Sequence, residues 1–331
     1  MKSSPLFPLL HLVPVLLSGT VLFFGAAGVE WHVVVPSLWE YAWRGVDLVP
    51  DAAIVWEIRL PRILLALVVG ATLSGSGATM QTMFRNPLVD PFMLGISAGA
   101  AFGCALSVGL FPDFSIQLVS LLCAIITAFV VLFLARTAGG GRIALVLSGV
   151  IVSAFLMALT SAIKFFVPPD KVQVIVLWLM GSFGLADWPS LRIAGFGLFL
   201  GFAPVLLMRW RLNLLSLGND EIQAMGMSAE KMRVIVIVCL SFASALAVSV
   251  SGIIGWVGLI TPHIARTLVG SDMRRLLPTS ISLGAGLMLL ADTLARTLTT
   301  YDLPVGIVTA LLGAPFFVYL LRKARCGWTQ G

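Results

Sequence analysis

Long apolar runs separated by short charged loops recur from one end of the chain to the other. A helix needs about 20 residues, at ~1.5 Å each, to cross the ~30 Å core of a bilayer. Ten runs approach that length, at 6–27, 62–83, 92–110, 115–135, 143–166, 191–208, 232–250, 252–269, 277–296 and 305–321. The pattern predicts an all-α integral membrane protein, with residues 1–331 forming one transmembrane domain.

Several runs carry small polar residues that would weaken a helix in water, as in Gly70-Ala71-Thr72-Leu73-Ser74-Gly75-Ser76-Gly77. In lipid the backbone bonds close internally, and small side chains let neighbouring helices approach. That run therefore reads as a tightly packed interior helix. Only Ser251 separates the seventh and eighth runs, and Ser249, Ser251 and Gly252 crowd the join, so a broken segment is expected there. The first run follows Lys2 and ends on small residues, as a cleaved leader does. Its length favours a retained span.

Composition agrees. The chain is 59% hydrophobic and 11% charged, too few charges to cover a solvated surface. The net charge of +6 comes without a dense basic run or a stacking platform, which argues against nucleic acid. Placing both termini in the cytoplasm puts fourteen Lys and Arg residues inside against seven outside, the asymmetry of a multi-pass plasma (inner) membrane protein.

Three segments exceed a turn. Residues 28–61, outside, mix acids with Trp and Tyr as an interfacial segment does. Residues 167–190, also outside, contain an apolar stretch from Val172 to Phe183 that is too short to span. It reads as a re-entrant or surface helix. Residues 209–231, inside, form a loop in which Gly218 ends one short helix, Asn219 or Asp220 caps the next, and Gly226 stops it. Its apolar residues Leu217, Ile222, Met225 and Met227 read as an exposed partner surface.

Catalytic and metal-binding patterns do not occur. Cys104, Cys123, Cys239 and Cys326 form no CxxC pair, and His11, His32 and His263 are scattered. Neither a cofactor nor a resident metal is expected. No GxxxxGK[ST] loop is present, so any ATP use falls to another chain. Spans 2–5 begin outside and spans 7–10 inside, each block opening on a small-residue helix, which suggests an inverted repeat.

From Arg59 onward the chain resembles the FecCD-type permeases, importers of vitamin B12, iron–siderophores and haem. The blocks that carry the resemblance begin with Arg59-Leu60-Pro61-Arg62, Arg85-Asn86-Pro87-Leu88 and Trp178 to Gly184. Leu217 to Met227, Gly255 to His263, Leu289 to Arg296 and Leu303 to Phe317 follow in order. In the Gly255-Trp256-Val257-Gly258 block, Trp stands where the family pattern leads one to expect Phe. The resemblance implies a type II ABC importer permease, working as a homodimer in the lipid bilayer. Two ATPase subunits would lie beneath it, a substrate-binding protein above, and the path along the dimer axis.

It also implies residue roles, each beside a plainer reading. Arg59, Arg62 and Arg296 would dock acidic residues of the binding protein, or else anchor span ends at the interface. Leu217, Gly218, Asp220, Glu221, Ala224, Met225, Gly226 and Met227 would form the ATPase-coupling helices, or else an ordinary solvated loop. Asn86, Pro87 and Leu88 would belong to a cytoplasmic gate, or else to a tight turn. Ser148, Ser153, Met157 and Ser161 would line the path, or else pack helices. Asp292 reads as a structural partner of Arg296 at i+4, with proton relay as the functional alternative. His263 reads as a packing or capping residue.

The function implied is import of a metal chelate, whether iron–siderophore, haem or cobalamin. Molybdate or tungstate import on the same fold is the alternative, followed by an ion-coupled carrier.

Overall fold

The structure is a computed structural model that describes residues 6–23, 34, 36, 50–216, 219–299 and 301–324. Expectations for residues 24–27 and for most of 28–49 lie outside the described residues, as do Leu217 and Gly218. Secondary structure in the described regions is helical throughout.

The first helix, α1 (Leu6–Val21), ends short of the predicted span. A turn at Pro50–Ala53 and a π-helical stretch at Ile54–Arg59 lead into α2 (Leu60–Phe84). Next come α3 (Ile96–Leu110), α4 (Ile116–Thr137), α5 (Gly141–Phe166), the short α6 (Pro169–Leu179) and α7 (Trp188–Leu207). The loop between α7 and α9, the inner loop of the expected orientation, carries α8 (Asn219–Ala224). The chain closes with α9 (Ala229–Ser251), α10 (Val257–Val269), α11 (Met273–Thr297) and α12 (Val305–Ala324).

Six described helices, α2 among them with its π-helical lead-in, are long and apolar enough to cross a membrane. The apolar stretches Leu10–Val21, Ile96–Leu110, Val257–Val269 and Val305–Tyr319 are shorter. Each of these helices lies at one of the runs read from the sequence. With 11 residues, α6 is about 16 Å long and too short to span.

The small-residue helix α2 is buried along most of its length. Gly70 faces Gly284 of α11 so closely that a Cβ on either would collide with the other's carbonyl oxygen. Hydroxyls fasten the same seam: Ser74 Oγ donates to Ser280 O at 2.6 Å and lies 2.5 Å from Thr261 Oγ1 of α10. Ser244 of α9 donates to Ser76 at 3.2 Å. Without a hydrophobic drive between helices in lipid, close approach and hydroxyl bonds of this kind hold the bundle together.

The helices after α2 and after α9 share one pattern. A long interior helix is followed by an irregular segment, a short helix and two long ones. After α2 the irregular segment contains Arg85 (φ 53°) and Gly95 (φ 76°); after α9 it is residues 252–256, with Gly252 at φ 69° and Trp256 at φ 72°. The join between the seventh and eighth runs is thus broken, and it runs from Gly252 to Trp256. Trp256 is not a residue that the left-handed region favours. Its indole packs over Gly313 of α12 and edge-on to Phe317, ring centres 6.2 Å apart.

Candidate functional site

At one end of α2 and α11 the charged residues converge. Arg59 sits at the π-helical lead-in and donates from Nη1 to Leu22 O at 2.8 Å, tying the start of α2 to the end of α1. One turn on, Arg62 points its guanidinium across to α11. Nε donates to Asp292 Oδ1 at 3.0 Å and Nη2 to the same oxygen at 2.8 Å. Its outer edge takes a second carboxylate: Nη1 donates to Asp302 Oδ2 at 2.6 Å and Nη2 to Oδ1 at 3.0 Å. The rigid fork of arginine suits two such pairings at once.

Asp292 is fully buried, and Arg59, Arg62 and Arg296 are 3%, 8% and 9% exposed. The expected Asp292–Arg296 pair is the weaker one, with Nε 3.7 Å from Oδ2, beyond hydrogen-bond range. Nε and Nη2 of Arg296 are buried with no acceptor among the described residues. Asp302 is the accessible member, its side chain 42% exposed. It lies beside Gly184, in the loop that follows α6, and Leu303 N–H folds its segment back onto Ala295 O at 3.3 Å. The sequence reading passed over Asp302, since one acid in a polar loop carries no signal of its own.

The opposite end of α11 meets the inner loop. Asp272 caps the helix, accepting from Arg274 N–H at 3.0 Å and from Asn213 Nδ2 at 2.7 Å, while Asn213 Oδ1 accepts from Met273 N–H at 2.8 Å. Those bonds hold the Asp272 carboxyl below the usual carboxylate range. In the sequence neither Asp272 nor its partner Asn213 was singled out. α11 is 25 residues long, about 37 Å, so its capped start and its Arg296 end are separated by more than a bilayer core.

Within the inner loop α8 runs from Asn219 to Ala224, and Gly226 follows at φ 75°. Met225 is 55% exposed, and Glu221 and Ala224 are exposed with it. Ile222 corrects the expectation of an exposed apolar face. It is fully buried in the core with Leu212 and Leu215, and Met227 is half-buried. Ile222 thereby pins the short helix to the body.

The segment Asn86-Pro87-Leu88 is a tight turn, with Leu88 N–H donating to Asn86 Oδ1 at 2.9 Å. Two residues on, Asp90 caps the 3-10 turn Pro91–Leu94 through Met93 N–H at 3.2 Å, and burial pushes its carboxyl up to about 6. On α5 the four predicted residues divide. Ser148 is buried and Ser153 half-buried near Gly95, whereas Met157 and Ser161 stand on an exposed, mostly apolar face with Ile151 and Phe155. His263 is half-buried on α10 and stacks edge-on with Phe316 at 6.5 Å. Among the described residues no group of His, Cys, Asp and Glu could hold a metal ion.

A two-ended bundle of this kind, with no nucleophile–base pair among its site residues, matches one family along nearly its whole length: the FecCD transport family model covers residues 11–323. The chain belongs to the FecCD transport family. An iron chelatin transport system permease of Helicobacter pylori is 49% identical, over 94% of this chain and 96% of its own. The molybdate import permease MolB of Haemophilus influenzae is 38% identical over 90% of each. Among solved structures, a metal-chelate-type ABC transporter in an inward-facing conformation superposes with a TM-score of 0.84 at 36% identity, covering 96% of this chain and 99% of that one. As a FecCD protein, the chain is a membrane-spanning permease subunit of an ABC importer, a transport protein and not an enzyme. Permeases of this family work with an ATPase and a substrate-binding protein.

Proposed function

We propose that this FecCD permease carries a metal chelate, of the iron–siderophore, haem or cobalamin kind, from a binding protein to the cytoplasm. The observation that carries the reading is the 49% identity to an iron chelatin permease over nearly both chains. The oxyanion alternative rests on a relative at 38%. Ten spans, both ends in the plasma (inner) membrane's cytoplasmic side, and a homodimer with two ATPase subunits complete the proposal. The Lys and Arg asymmetry of the loops supports that orientation.

In this arrangement Arg59, Arg62, Arg296 and Asp302 face the binding protein. Arg62 is already saturated by two carboxylates, so an incoming acid reaches it only by displacing Asp302. Arg296 has two donors without an acceptor among the described residues, but both are buried, so an acid reaches them only when the helix ends part. Residues Leu217 to Met227 seat in the ATPase, Met225 being the exposed apolar anchor and Ile222 the tether. The Asn86-Pro87-Leu88 turn closes the inner mouth, and the α5 face around Met157 and Ser161 lines the path. A wall of that kind, apolar and weakly hydrogen-bonding, favours release of a bulky cargo over tight binding.

Uptake of iron chelate and of molybdate by proteoliposomes holding the complete transporter tests the cargo. Chelate uptake that molybdate does not compete supports the reading; molybdate uptake alone overturns it.

A further inference from the structure

Two carboxylates share the Arg62 guanidinium, and they differ in how each could leave it. Asp292 holds the inner edge from α11, fully buried, and accepts from both Nε and Nη2. Parting these two would strand a charge away from water on either side. Asp302 holds the outer edge, accepting from Nη1 at 2.6 Å and from Nη2 at 3.0 Å, and its own side chain is exposed. Swinging outward returns this carboxylate to solvent, so its departure costs far less. An incoming acid that takes its place restores the same bonds and the same charge.

Asp302 belongs to the turn between α11 and α12, whose other polar ties to the bundle are long. Leu303 N–H reaches Ala295 O at 3.3 Å, and Gly306 N–H reaches Gly181 O at 3.4 Å. Leu298 and Tyr301 of the same turn are exposed. Among the described residues, the Arg62 pair is thus the shortest polar tie from this turn to another helix.

Just beyond Asp302 the segments interlock backbone to backbone. Gly306, at the head of α12, lies so close to Met180 O that a Cβ there would collide with it. Gly252, in the break after α9, meets Trp178 O in the same way, and Ser182 N–H donates to Ser251 O at 2.9 Å. The head of α12, the end of α6 and that break therefore form one unit. Met180, Ile253, Gly306, Ile307 and Ala310 of this unit line an apolar cleft of about 420 Å³. Asp302 is where the unit is tied to Arg62 and α2.

We propose that Asp302 is an internal competitor for the acid with which a binding protein engages Arg62, and that its displacement releases the head of α12. Docking at the outer face is then passed to the unit that walls the cleft, the step an importer needs between capture and entry. The proposal rests on the docking role given above to the outer arginines. A plain clamp needs no exposed carboxylate on a loosely held turn, because Asp292 already supplies one from the interior. A competitor that occupies Arg62 most of the time weakens apparent docking by the fraction of chains in which it is displaced.

The test compares the unaltered full-length chain with Asp302→Asn and Asp302→Glu, each in nanodiscs. Affinity is measured for the chelate-loaded binding protein that supports uptake, and hydrogen exchange of residues 299–306 is measured on the permease alone. Asp302→Asn should bind about three- to tenfold tighter, and its turn should exchange faster. Asp302→Glu restores the carboxylate and should bring the affinity back toward that of the unaltered chain. Equal protection across α2 and α11 in all three shows that the bundle is intact. Unchanged or weaker binding by Asp302→Asn overturns the proposal, and so does a turn that exchanges no faster. Failure of the docking reading looks different: the affinity responds neither to salt nor to Arg296→Gln, while the turn of Asp302→Asn still exchanges faster. That outcome overturns the competition as well and leaves Asp302 as a clamp on the turn.

Discussion

Arg62 and Asp292 stand 230 residues apart in the chain and share a buried ion pair, with Arg62 Nε 3.0 Å and Nη2 2.8 Å from Asp292 Oδ1 and Nε 3.2 Å from Oδ2. The pair clamps α2 to α11 at the end where Arg296 and Asp302 gather. Removing one partner leaves the other charged and buried, which costs about 3–5 kcal/mol. Asp292→Ala should therefore lower the thermal midpoint in detergent sharply. Replacing both residues with apolar ones, as in Arg62→Met with Asp292→Leu, should recover part of that loss, since Arg296 still loses its buried carboxylate neighbour. A single substitution that leaves the midpoint unchanged would count against the clamp.

Gly70 and Gly284 set the other contact between these helices. A side chain at Gly284 collides with Ser74 and with the Gly70 backbone. Overpacking of this kind costs roughly 1–3 kcal/mol, and more where only backbone can yield. Gly284→Val is expected to cut the yield of folded protein on size-exclusion chromatography, whereas Gly195→Ala, with open space around it, should not.

Asp90 makes stability depend on pH. Burial raises its carboxyl to about 6 in the folded chain, above the ~3.9 of an unfolded one. Between those values the folded state holds a proton that the unfolded state has released, so stability falls as pH rises from about 4 to about 6 and then levels off. Asp90→Asn keeps a capping side chain and removes the titration. Melting curves across that window should be flatter for the variant, and an unchanged slope would refute the assignment.

Met225 is exposed at the tip of the inner loop while Ile222, three residues earlier, is buried. Met225→Glu should leave the permease folded but uncouple ATP hydrolysis from uptake. Ile222→Glu should unfold the loop and lower stability. Equal melting curves for the two variants would mean that the division of labour between these side chains is wrong.

Much of this was legible in the sequence, because lipid makes apolar length and loop charge decisive. The small-residue run of α2, the break after Ser251 and the short α6 all follow from residue type and spacing. What escaped depends on contacts between distant segments. Asp292 was paired with Arg296 on helical spacing, yet the nearer guanidinium comes from Arg62, on a helix whose packing angle no local pattern encodes. Asp302 and Asn213 were missed for the same reason. Ile222 was read as a partner surface because an apolar residue in a cytoplasmic loop looks unpartnered until Leu212 and Leu215 are seen to cover it. The left-handed Trp256 was noticed as unusual, and only the contact with Gly313 shows where that bulk is placed.

The central claim is that this chain is an importer subunit driven by ATP through a separate ATPase and supplied by a binding protein. The most direct measurement is uptake of radiolabelled iron chelate into proteoliposomes, with each partner omitted in turn. Uptake that requires the permease, the ATPase with ATP and the binding protein together is the predicted result. Uptake that persists without the ATPase and follows an imposed proton or sodium gradient would contradict it.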